Sequence, residues 1–540
     1  DQLLLDIADY VVGYEIGSKD AVKTARYAVL DSIGCALLSL NFPECVKLLG
    51  PVVPGMTTPN GCSVLGTTHT LDPVTAAHNT STAIRWLEYN DAWLAHEWVH
   101  PSDVIGAILP LCEYLSKIRM QRHLPSLTMR DVLVSTIKAY EICGILALEN
   151  SLNGIGVDAG VFTKVAVAAV CTRLLGGGRR EIADSVSQAF ADGASLRCFR
   201  HYPNVGTRKG WSAGDASSRG VWIALTTMRG EQGHNLVLSA PVWGFNDVFY
   251  RRDDLRVTKE FKEHVVENTL FKVSFPCEYH AQTAVEATFL LHPQVVHRVD
   301  EVHSIVVSTT RSAVRTIDKT GPLRNPADRD HCIRYCVAIG LLYGTLTAEH
   351  YSDAVAQDPR IDELRKRISV VENPQYSSDY LDPDRRSVAN AVQVHFQDRT
   401  STSKVEIEYP LGHKRRRAEC FPALEKKLVS SLNTRMPPMR AGKVFEMVTN
   451  PQRFDAMAVP DFVELFSPSP NPFLLPPIGT RDVGDGDGGV SGSGGGGRTQ
   501  NYLPGDDDGS WGFGMGQGGG AHDLGWGDGN DAPRIEYPNH

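Results

Sequence analysis

No stretch of about 18 consecutive apolar residues occurs in the chain, so the sequence offers no membrane-spanning helix. It also has no Cys-x-x-Cys pair. Its 11 cysteines stand singly, and only Cys332 and Cys336 are close, four apart where the pattern reads as a helix and packing is their expected role. That spacing disfavours a zinc ribbon and the common iron–sulphur ligand sets. An odd number of scattered cysteines fits reduced thiols inside a cell. A basic excess is missing too: the formal net charge is −9, which argues against nucleic acid as a general partner. No GxxxxGK[ST] pattern is present, so the glycine runs near the C-terminus are not a phosphate loop. The first residues, DQLLLDIADYVVGYE, are acidic and amphipathic, the character of neither a signal peptide nor an Arg-rich transit peptide.

What the chain does have is material for a sizeable core, with 42% hydrophobic residues over 540 positions. Residues 1 to 270 read mainly as helices. Ala21–Ser39 sets apolar residues at three and four spacing around small ones, and Val104–Lys117, Thr128–Ala147, Phe162–Leu175 and Arg180–Ala191 repeat that character. Phe162–Leu175 is almost wholly apolar, which predicts a buried central helix. The pattern changes after Pro276. Val302–Thr310, Val392–Gln397 and Lys404–Tyr409 read as strands, with helices at Gln282–Leu291 and His331–Leu342 between them. Helical character returns at Pro422–Leu432 and near Val459–Phe466. From Ser467 the composition turns to Pro, Gly and Asp, too poor in apolar area to offset its ordering entropy, so disorder is expected there.

Five polar clusters carry the chemistry. Arg85–Asp103 (RWLEYNDAWLAHEWVHPSD) crowds Glu88, Asp91, Glu97, Asp103, His96 and His100 against tryptophans. Desolvation and mutual interaction move such groups toward neutral pKa values. The plain alternative is an amphipathic helix with a solvated face. Arg197–Asp215 (RCFRHYPNVGTRKGWSAGD) gathers Arg197, Arg200, His201, Arg208 and Lys209 ahead of a small-residue helix, a loop suited to gripping carboxylates if it is more than a basic surface. Phe271–Gln282 (FKVSFPCEYHAQ) places Lys272 and His280 at the junction between the helical part and the α+β part, where ligand clefts form. Arg324–Tyr335 (RNPADRDHCIRY) puts Asp330, His331, Arg334 and Tyr335 at a helix start, which Asp330 could simply cap. Tyr409–Arg417 (YPLGHKRRR) passes a crude filter for a nucleic-acid patch, but it follows a strand inside the folded region and lacks stacking aromatics.

Taken in order, EYNDAW and HPSD, SLRCFRHYPNVGTRKGWSAGDASSR, APVWGF, FKVSFPCEYHAQTAVEA, IDKTGPLRNPADRDHCIRY and YPLGHKRRR resemble the 2-methylcitrate dehydratase branch of the MmgE/PrpD family, from about Gln2 to Phe466. The resemblance implies a mainly α fold. A large all-helical domain would comprise residues 1–270 and the returning residues 413–466, a smaller α+β lid 271–412, and the tail 467–540 would stay disordered. It also implies a homodimer, a small-molecule tricarboxylate substrate held in the cleft between the domains, and no metal or organic cofactor. Neither membrane nor nucleic acid is an expected partner.

Family chemistry dehydrates 2-methylcitrate to 2-methyl-cis-aconitate and, in a sister branch, decarboxylates cis-aconitate. Elimination of water needs a base for the carbon-bound proton, an acid for the departing hydroxyl and cations facing the carboxylate where charge builds. Position by position, Asp91 and His100 match the family's acid/base motif, and Glu88 its first acidic residue, which orients the others. Lys209 and Lys272 match carboxylate-binding lysines and Tyr335 a tyrosine after the lid motif, while Arg200, Arg208 and His331 complete an anion shell. Two departures stand out. Ala92 replaces a threonine of the decarboxylase branch, and Gly154–Thr172 holds no histidine, with Ala159 near the place where relatives have one. Small residues at 92 and 159 would leave room for a chain longer than methyl. The readings left open are therefore a decarboxylase, an alkylcitrate dehydratase of a maleic-anhydride pathway, and a silent tricarboxylate-binding homologue. The compartment expected is intracellular, either mitochondrial matrix or cytoplasm.

Overall fold

Residues 1–193, 195–200, 204–251 and 254–468 are described by the structure, a computed structural model. The tail expected to be disordered lies outside the described residues apart from Ser467 and Pro468, and so does His201.

The described chain is mainly α. Helix Lys19–Ser39 starts where the Ser18 side chain accepts the Ala21 N–H, and helix Met129–Glu149 starts with a Thr128–Asp131 capping box. Helix Gly160–Leu174 is buried on nearly every side, as its uniformly apolar sequence requires. Ile105–Gln121 and Arg179–Ala191 also lie close to the spans read from periodicity. Helix Pro73–Arg85 has too even a mix of small polar residues to stand out by period. Its signal is the cap, Asp72 accepting from Val74 and Thr75 with Pro73 in the first turn. It packs against helix Arg208–Thr227, and Gly214 is what allows this: a Cβ there would meet Thr82 Oγ1 at 2.2 Å and the His78 carbonyl at 2.4 Å. These two helices carry Arg85 and Lys209.

A second apolar core runs from Phe275 to Phe396 around a four-stranded sheet. Its strand order is Ile368–Glu372, Val302–Thr309, Asn390–Phe396, Val405–Ile407, with the first pair parallel and the others antiparallel. Strand Ile368–Glu372 is short and follows a charged helix, Pro359–Arg367, so alternation alone does not reveal it. The expected strand at Lys404–Tyr409 shrinks to Val405–Ile407. After the sheet, helix Arg417–Asn433 rejoins the first core through Cys420, Leu424, Leu428 and Leu432. On it, Lys427 is buried 2.8 Å from Asp31 and donates to the carbonyls of Tyr89 and Lys272.

Three local expectations need correction. The segment after Arg85 is not an amphipathic helix, because the backbone of Ala92 pairs with Leu270 and that of Trp93 with Val99. Asp330 does not cap the following helix. The cap position is Cys332, just before Ile333–Tyr343, and Asp330 is drawn instead to Lys209. Cys332 and Cys336 are both buried, although only Cys336 lies within that helix. Among the described residues, no helix is long and apolar enough to cross a membrane.

Candidate active site

A cavity of about 660 Å³ lies where the 85–103 segment faces the second core. At its floor is Glu88, which follows the end of helix Pro73–Arg85 with φ of 53°, a left-handed conformation that a non-glycine residue holds only when its surroundings impose it. Three cations surround its carboxylate. Arg85 Nη1 lies 2.5 Å from Oε2 of Glu88, Lys272 Nζ 2.6 Å from Oε1, and Lys209 Nζ 3.4 Å from Oε2. Lys209 also sits 2.7 Å from both carboxylate oxygens of Asp330. All five groups are buried. Three cations thus face two carboxylates, and one positive charge is left over in a place where water does not screen it.

Burial alone would raise the pKa of Glu88, but Arg85, Lys272 and Lys209 outweigh it and hold this carboxylate well below its usual range. Burial also lowers the pKa of Lys272, with Glu88 opposing. Gly412, from the YPLGH motif, explains how Lys272 is seated. A Cβ on it would meet the Phe271 carbonyl oxygen at 1.7 Å, and Phe271 N–H donates to the Gly412 carbonyl. In the basic run beside it Lys414 and Arg415 are exposed, whereas Arg416 pairs with Glu286 at 2.8 Å and Arg417 donates to the carbonyl of Gly412.

His100 stands at the rim of this cluster. Its Nδ1 is 2.7 Å from the Asp91 carbonyl and its Nε2 is 2.9 Å from Arg85 Nη2. A carbonyl only accepts and a guanidinium only donates, so the proton is on Nδ1 and the lone pair on Nε2. Burial, and then Arg85, hold its pKa well below 6.5, so the ring is neutral. The Asp91 carboxylate is not at the cavity wall. It accepts from Ser102 N–H at 3.1 Å and from Tyr140 Oη at 2.7 Å, which fixes the loop that presents His100. Burial raises its pKa to about 6. Asp103 does reach the wall, and burial lifts its pKa to about 7.

The remaining expected residues divide. Arg200 lines the cavity, 2.5 Å from Asp158 and 2.8 Å from Ser212 Oγ. His331 lines it as well, with Nδ1 2.5 Å from Asp330 Oδ1. Tyr335 does not: it is buried in the second core and its hydroxyl donates to the His350 carbonyl. Arg208 lies over the Trp211 ring beside Asp215, away from the wall. Ala159 is at the wall, whereas Ala92 is fully buried behind it and cannot enlarge the cavity. Among the described residues, no group of three or more His, Cys, Asp or Glu is placed to hold a metal ion.

Arg85 has no part in the motif assignments, and Asp103 and His280 stand in the polar clusters without an assigned role. The one local sign for Arg85 is its spacing of three from Glu88 at a helix end. Nothing local distinguishes the other two, since their roles appear only when distant segments meet.

Comparison with known proteins places these residues in a family frame. Residues 5–258 match the model of the MmgE/PrpD N-terminal domain, and residues 275–450 that of the MmgE/PrpD C-terminal domain. A 2-methylcitrate dehydratase of Cupriavidus necator is 48% identical over 470 residues, covering 86% of this chain and 97% of that protein. The chain belongs to the MmgE/PrpD family. Other members include a 2-methylcitrate dehydratase of Escherichia coli K12, 47% identical with 86% and 97% covered, and one of Yarrowia lipolytica named as mitochondrial, 44% identical with 86% and 90% covered. In MmgE/PrpD terms, Glu88 and Lys209 come from the N-terminal match, Asp330 and His331 from the C-terminal match, and Lys272 from the interval between them.

Proposed function

We propose that the chain is a hydro-lyase that dehydrates 2-methylcitrate, or a 2-alkylcitrate with a longer chain, to the corresponding 2-alkyl-cis-aconitate. The observation that carries this is the buried cluster of Arg85, Lys209 and Lys272 around Glu88, whose surplus positive charge calls for an anion in the adjoining cavity. The family relatives at 44% to 48% identity bear the name of that activity.

A substrate carboxylate entering beside the cluster draws the Arg85 guanidinium to itself and frees the lone pair on His100 Nε2. That nitrogen is then a neutral base for the proton on the carbon next to the carboxylate. The charge that develops is spread into the same carboxylate, where Arg85 stabilises it at the cavity wall and Lys209 and Lys272, held behind the wall on Glu88, add their positive field. The α+β residues 271–412 act as a lid over residues 1–270 and 413–466, two copies of the chain form the working dimer, and the compartment is intracellular.

Incubation of the purified protein with 2-methylcitrate and longer 2-alkylcitrates, followed by absorbance of the conjugated product, tests the reading. Turnover is expected. A folded protein inactive on all of them would end it, carbon dioxide released from cis-aconitate would indicate a decarboxylase, and binding without turnover a silent homologue. Ala159 at the wall favours a chain longer than methyl as the second reading.

A further inference from the structure

The cavity wall also carries a hydrogen-bonded chain that the mechanism above does not use. It begins with Glu278, whose Oε1 is 2.8 Å from His280 Nδ1. His280 Nε2 is 3.3 Å from the Tyr380 hydroxyl, and that hydroxyl accepts from Trp98 Nε1 at 2.7 Å. Glu278, His280, Tyr380 and Trp98 all line the cavity. They come from three places: Trp98 from the 85–103 segment, Glu278 and His280 from the turn at the start of the second core, and Tyr380 from helix Pro374–Leu381.

We propose that His280 is a second proton-carrying group of this cavity, passing a proton through the Tyr380 hydroxyl to the hydroxyl that leaves the tricarboxylate. The inference rests on the hydro-lyase reading.

The directions of the hydrogen bonds lead to it. An indole N–H can only donate, so Trp98 fills one acceptor position on the Tyr380 oxygen. When His280 is doubly protonated, its Nδ1–H faces the Glu278 carboxylate and its Nε2–H fills a second acceptor position on the same oxygen. The Tyr380 proton is then left for the cavity side, where Ser312 also hydrogen-bonds to this hydroxyl. Burial would raise the pKa of Glu278, but His280 and His331 outweigh it and keep this carboxylate ionised. Burial pushes the Tyr380 hydroxyl up to about 12, so at neutral pH it relays a proton and does not act as a phenolate. The charged or titratable groups acting on the chain from around it include His331, Lys272 and Arg386.

The step balances. His100 takes the carbon-bound proton, the electron pair of that C–H bond becomes the second bond of the alkene, and the C–O bond breaks toward oxygen. The departing hydroxide takes the Tyr380 proton and leaves as water, while the His280 Nε2 proton moves to the Tyr380 oxygen. His280 ends neutral and regains its proton from solvent, to which His100 releases the one it took.

The test uses full-length protein and 2-methylcitrate, comparing the parent with His280→Gln, Tyr380→Phe and Glu278→Gln, each checked for folding by circular dichroism. We expect kcat to fall by about 100-fold or more in the first two variants with KM little changed. A substrate analogue with fluoride in place of the departing hydroxyl needs no acid, so both variants should handle it at close to the parent's rate. Parent-like kcat in Tyr380→Phe, or equal losses on hydroxyl and fluoride substrates, would overturn the inference alone. A parent inactive on every alkylcitrate would overturn the hydro-lyase reading and this inference with it.

Discussion

The ammonium of Lys272 lies 2.6 Å from Oε1 of Glu88, two residues 184 apart in sequence that meet with almost no solvent contact. Because Arg85 and Lys209 reach the same carboxylate, this pair is part of a charge imbalance and not a closed salt bridge. Its energetic worth is therefore realised when an anion arrives.

Removing one cation at a time should separate stability from binding. Lys272→Met leaves Arg85 and Lys209 facing Glu88 and Asp330, two against two, so the variant should fold with a melting temperature near the parent's. Its kcat/KM should drop by about 100-fold or more, equivalent to about 2.7 kcal/mol of lost stabilisation. Lys209→Ala differs, since it leaves Asp330 without its main partner. It should lose most turnover and also melt lower, at a cost on the order of a few kcal/mol. Steady-state kinetics and calorimetry on the two variants distinguish the outcomes.

Asp103 makes a pH prediction. Burial raises its folded pKa to about 7 from an ordinary value near about 4, so the fold favours the protonated acid. That contribution is complete below about pH 4 and is lost as pH rises through 7. Asp103→Asn stays neutral throughout. Between pH 5 and 8 the parent's melting temperature should therefore fall more than the variant's, with a difference on the order of a few kcal/mol at the upper end.

Ala159 sits at the wall, so filling it should select for short chains. Ala159→Phe should reduce kcat/KM for a 2-alkylcitrate of six or so alkyl carbons by about 10-fold or more relative to 2-methylcitrate, given about 0.8 kcal/mol per buried methylene. Parallel kinetics on the two substrates would show it, and equal losses on both would remove Ala159 from chain-length selection.

Ala92→Thr introduces the residue of the decarboxylase branch at a fully buried position packed behind the cavity wall. The variant should lose about 1–3 kcal/mol of stability through overpacking and release no carbon dioxide from cis-aconitate. Thermal denaturation and a carbon dioxide assay read both effects.

Much of the helical framework was legible in the sequence, because Phe162–Leu175 and Thr128–Ala147 carry a strong apolar signal and clear breaks. Pro73–Arg85 was hidden by its small polar residues, and Ile368–Glu372 by the charged helix before it. Family motifs led to Glu88, Lys209 and Lys272, and the structure brings the three together. Tyr335 and Arg208 stand in those motifs as well, yet one hydroxyl is taken by a carbonyl and the other side chain lies over Trp211. Asp103 and His280 owe their positions to convergence of segments far apart in the chain, which no local pattern encodes.

The Lys427–Asp31 pair has a consequence for how the protein is made. During synthesis Asp31 leaves the ribosome well before Lys427, whose ammonium neutralises it. Lys427 also ties down the backbone next to Glu88 and at Lys272, so the pocket cannot mature before helix Arg417–Asn433 has emerged. A product truncated before helix Arg417–Asn433 would carry every residue of the Glu88 cluster and still be unable to hold them in place.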